Sequence, residues 1–373
     1  LIGMKAFSFC SKMKKITIDK DNQSLKFFEL EVFRGCTSLE QIKIPASITM
    51  IKSASFRNCS NLNKVIIPTS SYLTTIEDNS FKKCTKLTEI IIPSSTTYIG
   101  KCVFLECSSL TKITIPSTVK EIGENSFKNC ASLSELIFDP YNTKIKINSF
   151  ENCTSLNHLI FGPTVKEIKK DNIEFIKLFK HITIPKTVTT IQPEAFSEYP
   201  LLSEITFESP SSITTIQHNA FEKCTLLEQI KIPSSVITID KEAFKGCSNL
   251  KLISFESPSL ITTIQQNAFE ECTSLEQIII PSSVTTIDKA AFNGCSSLIL
   301  ISFEPPSKLI SIGPFAFCDC SSLMSISIPS SVNSIAPNCF NGCLQMKQIV
   351  FESPSNLTII DYNTFYKCSS LGQ

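Results

Sequence analysis

The sequence lacks an excess of charge of either sign. Its 373 residues include 35 basic and 34 acidic side chains, which leaves a net charge of +1 at pH 7. Proteins that bind nucleic acid or anionic lipid through long-range electrostatics carry a strong charge bias or a concentrated basic face. The charge balance therefore argues against nucleic acid and lipid surfaces as partners.

Long apolar runs are also missing, although 42% of the residues are hydrophobic. No stretch of roughly 18 or more uncharged apolar residues occurs, so no membrane-spanning helix is predicted. No basic segment followed by an apolar segment opens the chain, so no secretory signal peptide is recognised within it. The first residue is Leu1 and not methionine, and we expect targeting segments, if the gene has them, to lie outside this sequence.

Residues and motifs typical of enzymes are scarce. The sequence has three histidines, and it contains no nucleophile elbow, no zinc-protease helix motif, no phosphate-binding loop and no dinucleotide-binding glycine motif. Each of these motifs places a nucleophile, a metal or a phosphate by a defined local geometry. Their absence predicts a protein with no catalytic residues and no cofactor.

What the sequence does contain is one pattern, centred on phenylalanine, that recurs along its whole length. After a first step from 7 to 33, every anchor follows the last by 23 or 25 residues, which is the length of one solenoid coil. Isoleucine stands five residues before the anchor in every copy but one, and Leu, Met or Phe stands six residues after it. The sixteen anchors are Phe7, Phe33, Phe56, Phe81, Phe104, Phe127, Phe150, Ile173, Phe196, Phe221, Phe244, Phe269, Phe292, Phe317, Phe340 and Phe365.

Each repeat divides into a strand, a turn, a shorter extended piece and a second turn. The Leu-x-x-Ile-x-Ile pattern, as at 275–280, alternates apolar and polar residues as a half-buried strand does. Eight of these strands end in Ile-Pro, where proline cannot donate to a ladder. Val-x-x-Ile, as at 284–287, predicts the shorter strand, and Ala-Phe-x-x-Cys, as at 291–295, predicts one helical turn. One coil cannot bury these apolar positions alone, so the coils are predicted to stack.

From Phe196 onward the spacing alternates strictly between 25 and 23 residues, so a 48-residue pair of coils is the duplicated unit. The longer coils carry Phe-Glu-Ser-Pro-Ser or its variant Phe-Glu-Pro-Pro-Ser where the shorter ones carry Ile-Pro-Ser-Ser. We expect this difference to place a bulging loop on one rim at every second coil. The acidic residues Glu208, Glu256, Glu304 and Glu352 recur there at intervals of 48.

The repeat L-x-x-I-x-I-P-x-S-V-x-x-I-x-x-x-A-F-x-x-C resembles that of the BspA-like leucine-rich repeat proteins, also called the Treponema pallidum type, over essentially the whole chain. The resemblance implies a β-rich, right-handed leucine-rich-repeat solenoid of about sixteen 23- or 25-residue coils with a concave parallel β-sheet. It also implies a cell-surface or secreted protein that adheres to host matrix proteins and cells. The chain departs from the motif at 173–176 and at Tyr199, where two adjacent coils lack the cysteine.

The two ends of the sequence fall inside repeats, and neither shows a polar capping segment. We therefore expect residues 1–373 to form a single leucine-rich-repeat solenoid that is truncated within a repeat at both ends. End coils of this kind expose apolar surface, which predicts end-to-end self-association.

Fourteen of the seventeen cysteines stand three residues after an anchor and form one ladder. An in-register ladder holds neighbouring Cβ atoms about 4.8 Å apart, beyond the usual ~3.5–4.5 Å of a disulfide. The pair Cys318 and Cys320 has the wrong spacing for zinc and no adjacent histidine. We predict a buried stripe of free thiols, and the off-ladder residues Cys102, Cys318 and Cys339 are candidates for exposed reactive thiols.

The candidate binding residues stand at outward-facing positions of the longer strands. Eight residues after the anchor, four consecutive coils carry Glu135, His158, His181 and Glu204, which in-register strands would bring into one row. Such a row suits either a divalent metal with a titrating histidine pair or an ordinary solvated strand face. The second interpretation is favoured, and we predict no metal site.

Ten residues after the anchor, hydroxyl and aliphatic residues alternate, and this position adds Thr114, Ile137, Ile160 and Thr183 to the candidate ligand-binding residues. Solenoids use long, mixed surfaces of this kind to bind extended protein partners. The same residue types are also explained by β propensity alone.

These observations together predict a non-catalytic, cell-surface or secreted adhesion module that presents its concave face to host or matrix proteins. The alternative is an intracellular scaffold for partner proteins, and the sequence leaves a cytoplasmic location open. A solenoid face determines the shape of a ligand and not its identity.

Overall fold

The computed structural model describes residues 2–19, 23–139, 143–146, 148–170 and 176–372. The chain divides into two compact units, Leu1–Thr164 and Val165–Gln373. The degenerate anchor Ile173 lies outside the described residues. A single solenoid over residues 1–373 stays a prediction.

The first unit consists of coils that each contribute one longer and one shorter strand. Its longer, even-numbered strands pair in parallel in the order β2-β4-β6-β8-β10-β12, and its shorter, odd-numbered strands pair in the order β1-β3-β5-β7-β9-β11. In chain order, these strands are β1 (Phe27–Phe28), β2 (Gln41–Lys43), β3 (Met50–Ile51), β4 (Lys64–Ile66), β5 (Thr75–Ile76), β6 (Glu89–Ile91), β7 (Tyr98–Ile99), β8 (Lys112–Thr114), β9 (Glu121–Ile122), β10 (Glu135–Phe138), β11 (Lys144–Ile145) and β12 (His158–Phe161).

The second unit repeats this arrangement over more coils, and a single 3-10 turn, η1 (Ile176–Leu178), is the only helical element in its described residues. The longer strands again carry even numbers and pair in parallel from β14 to β28, and the shorter ones pair from β13 to β29. The strands are β13 (Glu167–Ile168), β14 (His181–Ile184), β15 (Thr190–Ile191), β16 (Glu204–Phe207), β17 (Thr215–Ile216), β18 (Gln229–Ile232), β19 (Thr238–Ile239), β20 (Leu252–Phe255), β21 (Thr263–Ile264), β22 (Gln277–Ile280), β23 (Thr286–Ile287), β24 (Leu300–Phe303), β25 (Ser311–Ile312), β26 (Ser325–Ile328), β27 (Ser334–Ile335), β28 (Gln348–Phe351) and β29 (Ile359–Ile360).

The predicted β-rich leucine-rich-repeat solenoid is confirmed in both units, with one coil stacked on the next. The longer strands alternate inward and outward side chains, as in β18, where Ile230 and Ile232 are buried and Gln229 and Lys231 are exposed. Pro233 follows directly and ends the strand, because proline has no amide proton to donate to the preceding coil, as the amide of Glu256 does at the equivalent position.

The anchor phenylalanines form a continuous stack of rings inside each unit. Ring centroids of successive anchors lie 5.0 to 5.5 Å apart, both from Phe7 to Phe150 and from Phe196 to Phe365. The rings are close to parallel, with interplanar angles of 18° or less. Stacked aromatic pairs add about 0.5–1.5 kcal/mol each to the free energy gained by burying their surface. The ring stack therefore holds each coil against its neighbours.

The Ala-Phe-x-x-Cys segment is not the helical turn that the spacing predicts. It is a run of β-turns, in which the amide of Asn293 donates to the carbonyl of Ala290 at 3.2 Å and Ala290 has φ +54°. The amide of Phe292 instead donates to the carbonyl of Ala316 in the next coil at 2.8 Å. The prediction is wrong because a helix keeps its amide bonds within itself, whereas this segment uses every second amide to join coils.

The cysteine ladder is a stripe of free thiols, as predicted. From Cys36 to Cys368, each ladder thiol donates to the carbonyl of the preceding coil's anchor, at 3.0 to 3.3 Å. Most of these thiols are buried, while Cys10 is exposed and Cys153 is half-buried. Burial raises the pKa of both Cys107 and Cys295 to about 12.

Two of the three off-ladder cysteines, which the sequence offers as candidates for exposed thiols, are buried. Cys339 is fully buried, and burial raises the pKa of its thiol. Cys318 is 8% exposed, and burial raises its pKa to about 11. Neither Cys318 nor Cys339 is therefore an exposed thiol. Cys102 is half-buried.

Candidate binding surface

The outward face of the longer strands in the first unit carries the predicted residues in register. Glu135 of β10 stands between Lys112 of β8 and His158 of β12. Its carboxylate forms an ion pair with Lys112, and its Oε2 lies 3.8 Å from Nδ1 of His158. Glu135 and His158 are therefore neighbours on this face.

The same face of the second unit brings the other two members of the predicted row together. His181 of β14 pairs in register with Glu204 of β16, and Nδ1 of His181 lies 2.8 Å from Oε2 of Glu204. Beside them, the hydroxyls of Thr183 and Thr206 lie 2.9 Å apart. A single row of all four residues stays a prediction. Among the described residues, no group of three or more His, Cys, Asp or Glu side chains is arranged to hold a metal ion.

The mixed aliphatic and hydroxyl position is also in register within the first unit. Thr114, Ile137 and Ile160 stand side by side on β8, β10 and β12. Thr114 is exposed and both isoleucines are half-buried, and Ile91 of β6 is 64% exposed. Apolar side chains therefore occupy three of these four outward positions, with Thr114 among them.

Sequence reasoning missed the equivalent apolar residues of the second unit. Leu252 of β20 and Leu300 of β24 flank Gln277 of β22 in register, and they are 40% and 47% exposed. Ile279 of β22 is 56% exposed. The same count from the anchor that finds Glu135 and Ile137 finds these residues when it is carried beyond Glu204.

Two clefts open at the rim of the second unit, where the longer strands end. The first rim cleft has a volume of about 290 Å³ and is lined by Phe207, Lys231, Pro233 and Glu256, among others. The second rim cleft has a volume of about 170 Å³. Its lining residues Ile253, Ser254, Phe255, Ile279 and Glu304 stand 48 positions after Ile205, Thr206, Phe207, Lys231 and Glu256 of the first. The clefts are therefore two copies of one feature.

The carboxylates of the two rim clefts differ in their partners. Oε2 of Glu256 accepts a hydrogen bond from the amide of Ser234 at 3.3 Å, and its Oε1 lies 3.0 Å from Nζ of Lys231. The hydrogen bond from Lys231 lowers the pKa of Glu256. Oε2 of Glu304 likewise accepts from the amide of Ser282 at 3.2 Å.

In the second rim cleft, Ile279 stands where the first has Lys231. Glu304 has no ion-pair partner within the described part of the chain. One copy of the cleft thus supplies its own cation, and the other presents an open carboxylate beside apolar side chains.

No helix in the described ranges is both long enough and apolar enough to cross a membrane.

Comparison with known proteins agrees with the observed coil. The family model described as the BspA type leucine rich repeat region, in six copies, matches residues 1–101, 74–197, 174–299 and 296–373. No curated protein matches the chain.

Several solved structures are similar to this chain. A leucine-rich repeat protein from Bacteroides ovatus is 27% identical, with 93% of this chain and 81% of that chain covered and a TM-score of 0.48. A leucine rich cell surface protein from Faecalibacterium prausnitzii is 26% identical, with 86% and 83% covered and a TM-score of 0.31. A Treponema pallidum leucine-rich repeat protein is 19% identical, with 68% and 73% covered and a TM-score of 0.30. Since the family model matches the chain from its first residue to its last, the chain belongs to the BspA type leucine-rich repeat family.

Proposed function

We propose that this chain is a non-catalytic protein-binding module of a cell-surface or secreted protein, and that it adheres to host matrix or host cell-surface proteins. The contact surface is the outward face of the longer strands, with Thr114, Glu135, Ile137, His158 and Ile160 in the first unit and His181, Thr183 and Glu204 in the second. The observation that carries this proposal is the in-register patch of Thr114, Ile137 and Ile160 beside the 64% exposed Ile91.

The composition of this face suits protein recognition. Interfaces between proteins combine apolar contacts at the centre with polar groups at the rim. On this face the aliphatic residues supply the apolar contacts. The threonine hydroxyls and the His-Glu pairs supply the polar groups. The side chains project from paired strands, so little conformational entropy is lost when a partner binds.

Internal ion pairing limits the role of charge on this face. Glu135 is already paired with Lys112, so its charge is largely compensated before any partner arrives. Steering by long-range charge is therefore weak, and we expect the affinity for a partner to change little with ionic strength.

Surface plasmon resonance with a panel of purified extracellular-matrix proteins tests this proposal. Ile137→Glu and Thr183→Glu introduce a charge into the face, and each is expected to weaken binding by about tenfold, the effect typical of a central interface residue. Leu226→Glu is the matched control, because Leu226 is a 41% exposed apolar residue that lies outside the strands.

Equal affinities for the two face variants and the unaltered chain would remove the strand face as the contact surface. If no matrix protein binds but an intracellular protein does, the intracellular scaffold is the better interpretation. Circular dichroism of each variant confirms that the coils are intact before binding is compared.

A further inference from the structure

We propose that the rim of the second unit binds a basic, proline-rich peptide in the polyproline II conformation, with a cationic side chain at every third residue. The clefts adjoin the strand face of the second unit, since Thr206 lines the first cleft and its hydroxyl lies 2.9 Å from that of Thr183, but none of the strand-face residues of the first unit lines them. Binding of such a peptide goes beyond the adhesion function proposed above. The two rim clefts, with the apolar and acidic side chains that line them, carry the inference.

The spacing of the clefts selects the conformation of the ligand. The amides of Glu208, Glu256 and Glu304 each donate to the carbonyl of the preceding coil's strand at 2.9 Å, so the rim residues follow the strand register. Equivalent clefts are two coils apart, which corresponds to about 9.6 Å at the spacing of paired strands.

Among regular peptide conformations, polyproline II fits this interval best. Three of its residues rise about 9.3 Å, whereas side chains on one face of a β-strand repeat at about 6.6–6.8 Å. Side chains on one face of an α-helix repeat at its pitch of about 5.4 Å. A polyproline II ligand therefore presents the same side chain to each cleft in turn, with a mismatch of only about 0.3 Å per step.

The lining of the clefts selects the chemistry of the ligand. Phe207 and Pro233 in the first cleft, and Leu252 and Phe255 in the second, supply the aromatic and apolar contacts that proline rings favour. Phe207 and Phe255 are half-buried, so each ring is rigidly held and still has an accessible part. The carboxylate of each cleft is complementary to a cationic side chain.

The difference between the two clefts identifies where the cation binds. Lys231 already supplies an ammonium group to Glu256 in the first cleft. Ile279 leaves Glu304 open in the second. The carboxylate after these in the row, Glu352, accepts from the hydroxyl of Ser327 at 3.4 Å and the amide of Ser330 at 3.3 Å. Glu304 is thus the acceptor that the second cleft offers to a cation from the ligand, while the first cleft retains Glu208, whose Oε2 accepts from the amide of Lys186 at 3.2 Å.

A matched pair of substitutions exchanges the chemistry of the two clefts. Ile279→Lys gives the second cleft an ammonium of its own, and Lys231→Ile opens the first. Ile279 is 56% exposed, and the side chain of Lys231 is 67% exposed, so neither change disturbs the core.

Fluorescence anisotropy with a labelled peptide of four Pro-Pro-Arg triplets provides the test. The unaltered chain is expected to bind it, and Ile279→Lys to weaken binding by about fivefold, the upper range for a partly exposed ion pair. Lys231→Ile is expected to strengthen binding by about twofold to threefold. A peptide of four Pro-Pro-Glu triplets controls for proline content, and one of alternating valine and arginine controls for an extended ligand with positive charge.

Three results would overturn the proposal: equal binding of the arginine and glutamate triplets, equal binding of the alternating peptide, or an affinity that neither cleft variant changes. Thr114→Glu in the first unit is expected to leave peptide binding unchanged. Loss of peptide binding in a cleft variant therefore reports on the rim, and loss of matrix-protein binding in Thr114→Glu or Ile137→Glu reports on the strand face of the first unit.

Discussion

Residues 1–164 and residues 165–373 bury the same ladder of rings and thiols but differ in the side chains that their longer strands present to solvent. In the first unit, the outward position eight residues after the anchor is charged on four consecutive longer strands, β4 to β10. These residues are Lys64, Glu89, Lys112 and Glu135. The four corresponding strands from β18 to β24 carry Gln229, Leu252, Gln277 and Leu300. The stacked coil therefore constrains the inward positions and leaves the outward ones free to vary.

That difference separates the residues that stabilise the stack of coils from those available to bind a ligand. A residue repeated in most coils at a buried position stabilises the stack, as the anchor phenylalanines and ladder cysteines do. A residue that changes from coil to coil at an outward position, such as Lys231 or Ile279, does not serve the stack. The variable outward positions are therefore where a ligand is distinguished.

The largest expected effect tests whether the two cores are equivalent. Phe104→Ala and Phe269→Ala each remove a fully buried ring and leave a cavity, which is expected to lower the free energy of unfolding by about 3–5 kcal/mol. Urea denaturation followed by circular dichroism measures this loss, and hydrogen exchange locates it. If one substitution costs several kcal/mol and the other almost nothing, the cores are not equivalent.

Thiol chemistry gives the next largest effect. Burial raises the pKa of Cys107 and Cys295 from 9.0 to about 12, so at pH 8 each has about a thousandfold less thiolate than an ordinary cysteine. Both thiols are expected to resist alkylation in the native protein and to react after denaturation, as mass spectrometry after digestion would show. The exposed Cys10 serves as the reactive control.

The same raised pKa predicts alkaline destabilisation. The unfolded thiols lose protons above pH 9.0 while the folded ones keep theirs to about pH 12. The stability that burial of the protonated form contributes is therefore complete below pH 9.0 and is lost as the pH rises toward 12. Cys107→Ala and Cys295→Ala should each flatten the pH dependence of the unfolding free energy by a similar amount. A steeper slope in either variant would contradict this.

A smaller effect is expected at the turns that follow the longer strands. The hydroxyl of Ser47 donates to the carbonyl of Leu25 at 2.8 Å, and the hydroxyl of Ser283 donates to that of Ile261 at 2.7 Å. Alanine at either position leaves the carbonyl without this donor, at a cost of about 1 kcal/mol. Chemical denaturation of the two variants is expected to give similar losses. Ser282→Ala is the control, because Ser282 contributes its amide and not its hydroxyl to Glu304.

The smallest effect concerns the charged face of the first unit. Glu135→Gln removes the ion pair with Lys112, whose side chain is 52% exposed, and is expected to cost about 0.2–1 kcal/mol at low salt and less at high salt. Gln277→Ala at the corresponding position of the second unit should show no dependence on salt. Denaturation at two ionic strengths measures both, and a salt-dependent loss in the second variant would contradict the contrast.

Much of the fold follows from spacing in the sequence, because stacked coils repeat the same burial at the same position. The sequence shows the anchor phenylalanines at a regular interval. It also shows the alternation of apolar and polar residues in β18 and the proline, Pro233, that ends this strand. The turn run at 291–295 was predicted wrongly because Phe and Cys three residues apart suit either a helical turn or successive β-turns. Spacing alone does not tell whether an amide bonds within its own coil or to the next one.

The binding surface was predictable only in part for a related reason. Counting from the anchor finds outward positions such as Glu135 and Ile137, since a strand alternates its faces. The rim clefts depend on residues in different coils, such as Phe207 and Glu256, that meet only after the coils stack. The recurring glutamates can be found in the sequence by their 48-residue interval. The sequence does not show that Lys231 forms an ion pair with Glu256, and so it does not show that the replacement of Lys231 by Ile279 removes an ion pair from the second cleft.

From Cys36 on, the thiol of each ladder cysteine reaches back to the anchor carbonyl of the coil before it, so a coil that carries this cysteine also carries the means to join its predecessor. Duplication of a 48-residue pair of coils can then lengthen the protein, and the contact between the new coils and their neighbours needs no further substitutions. Each such insertion would also add another rim cleft at the same interval. Avidity for a long repetitive ligand would grow with the number of copies, even if the affinity of every single cleft stayed weak.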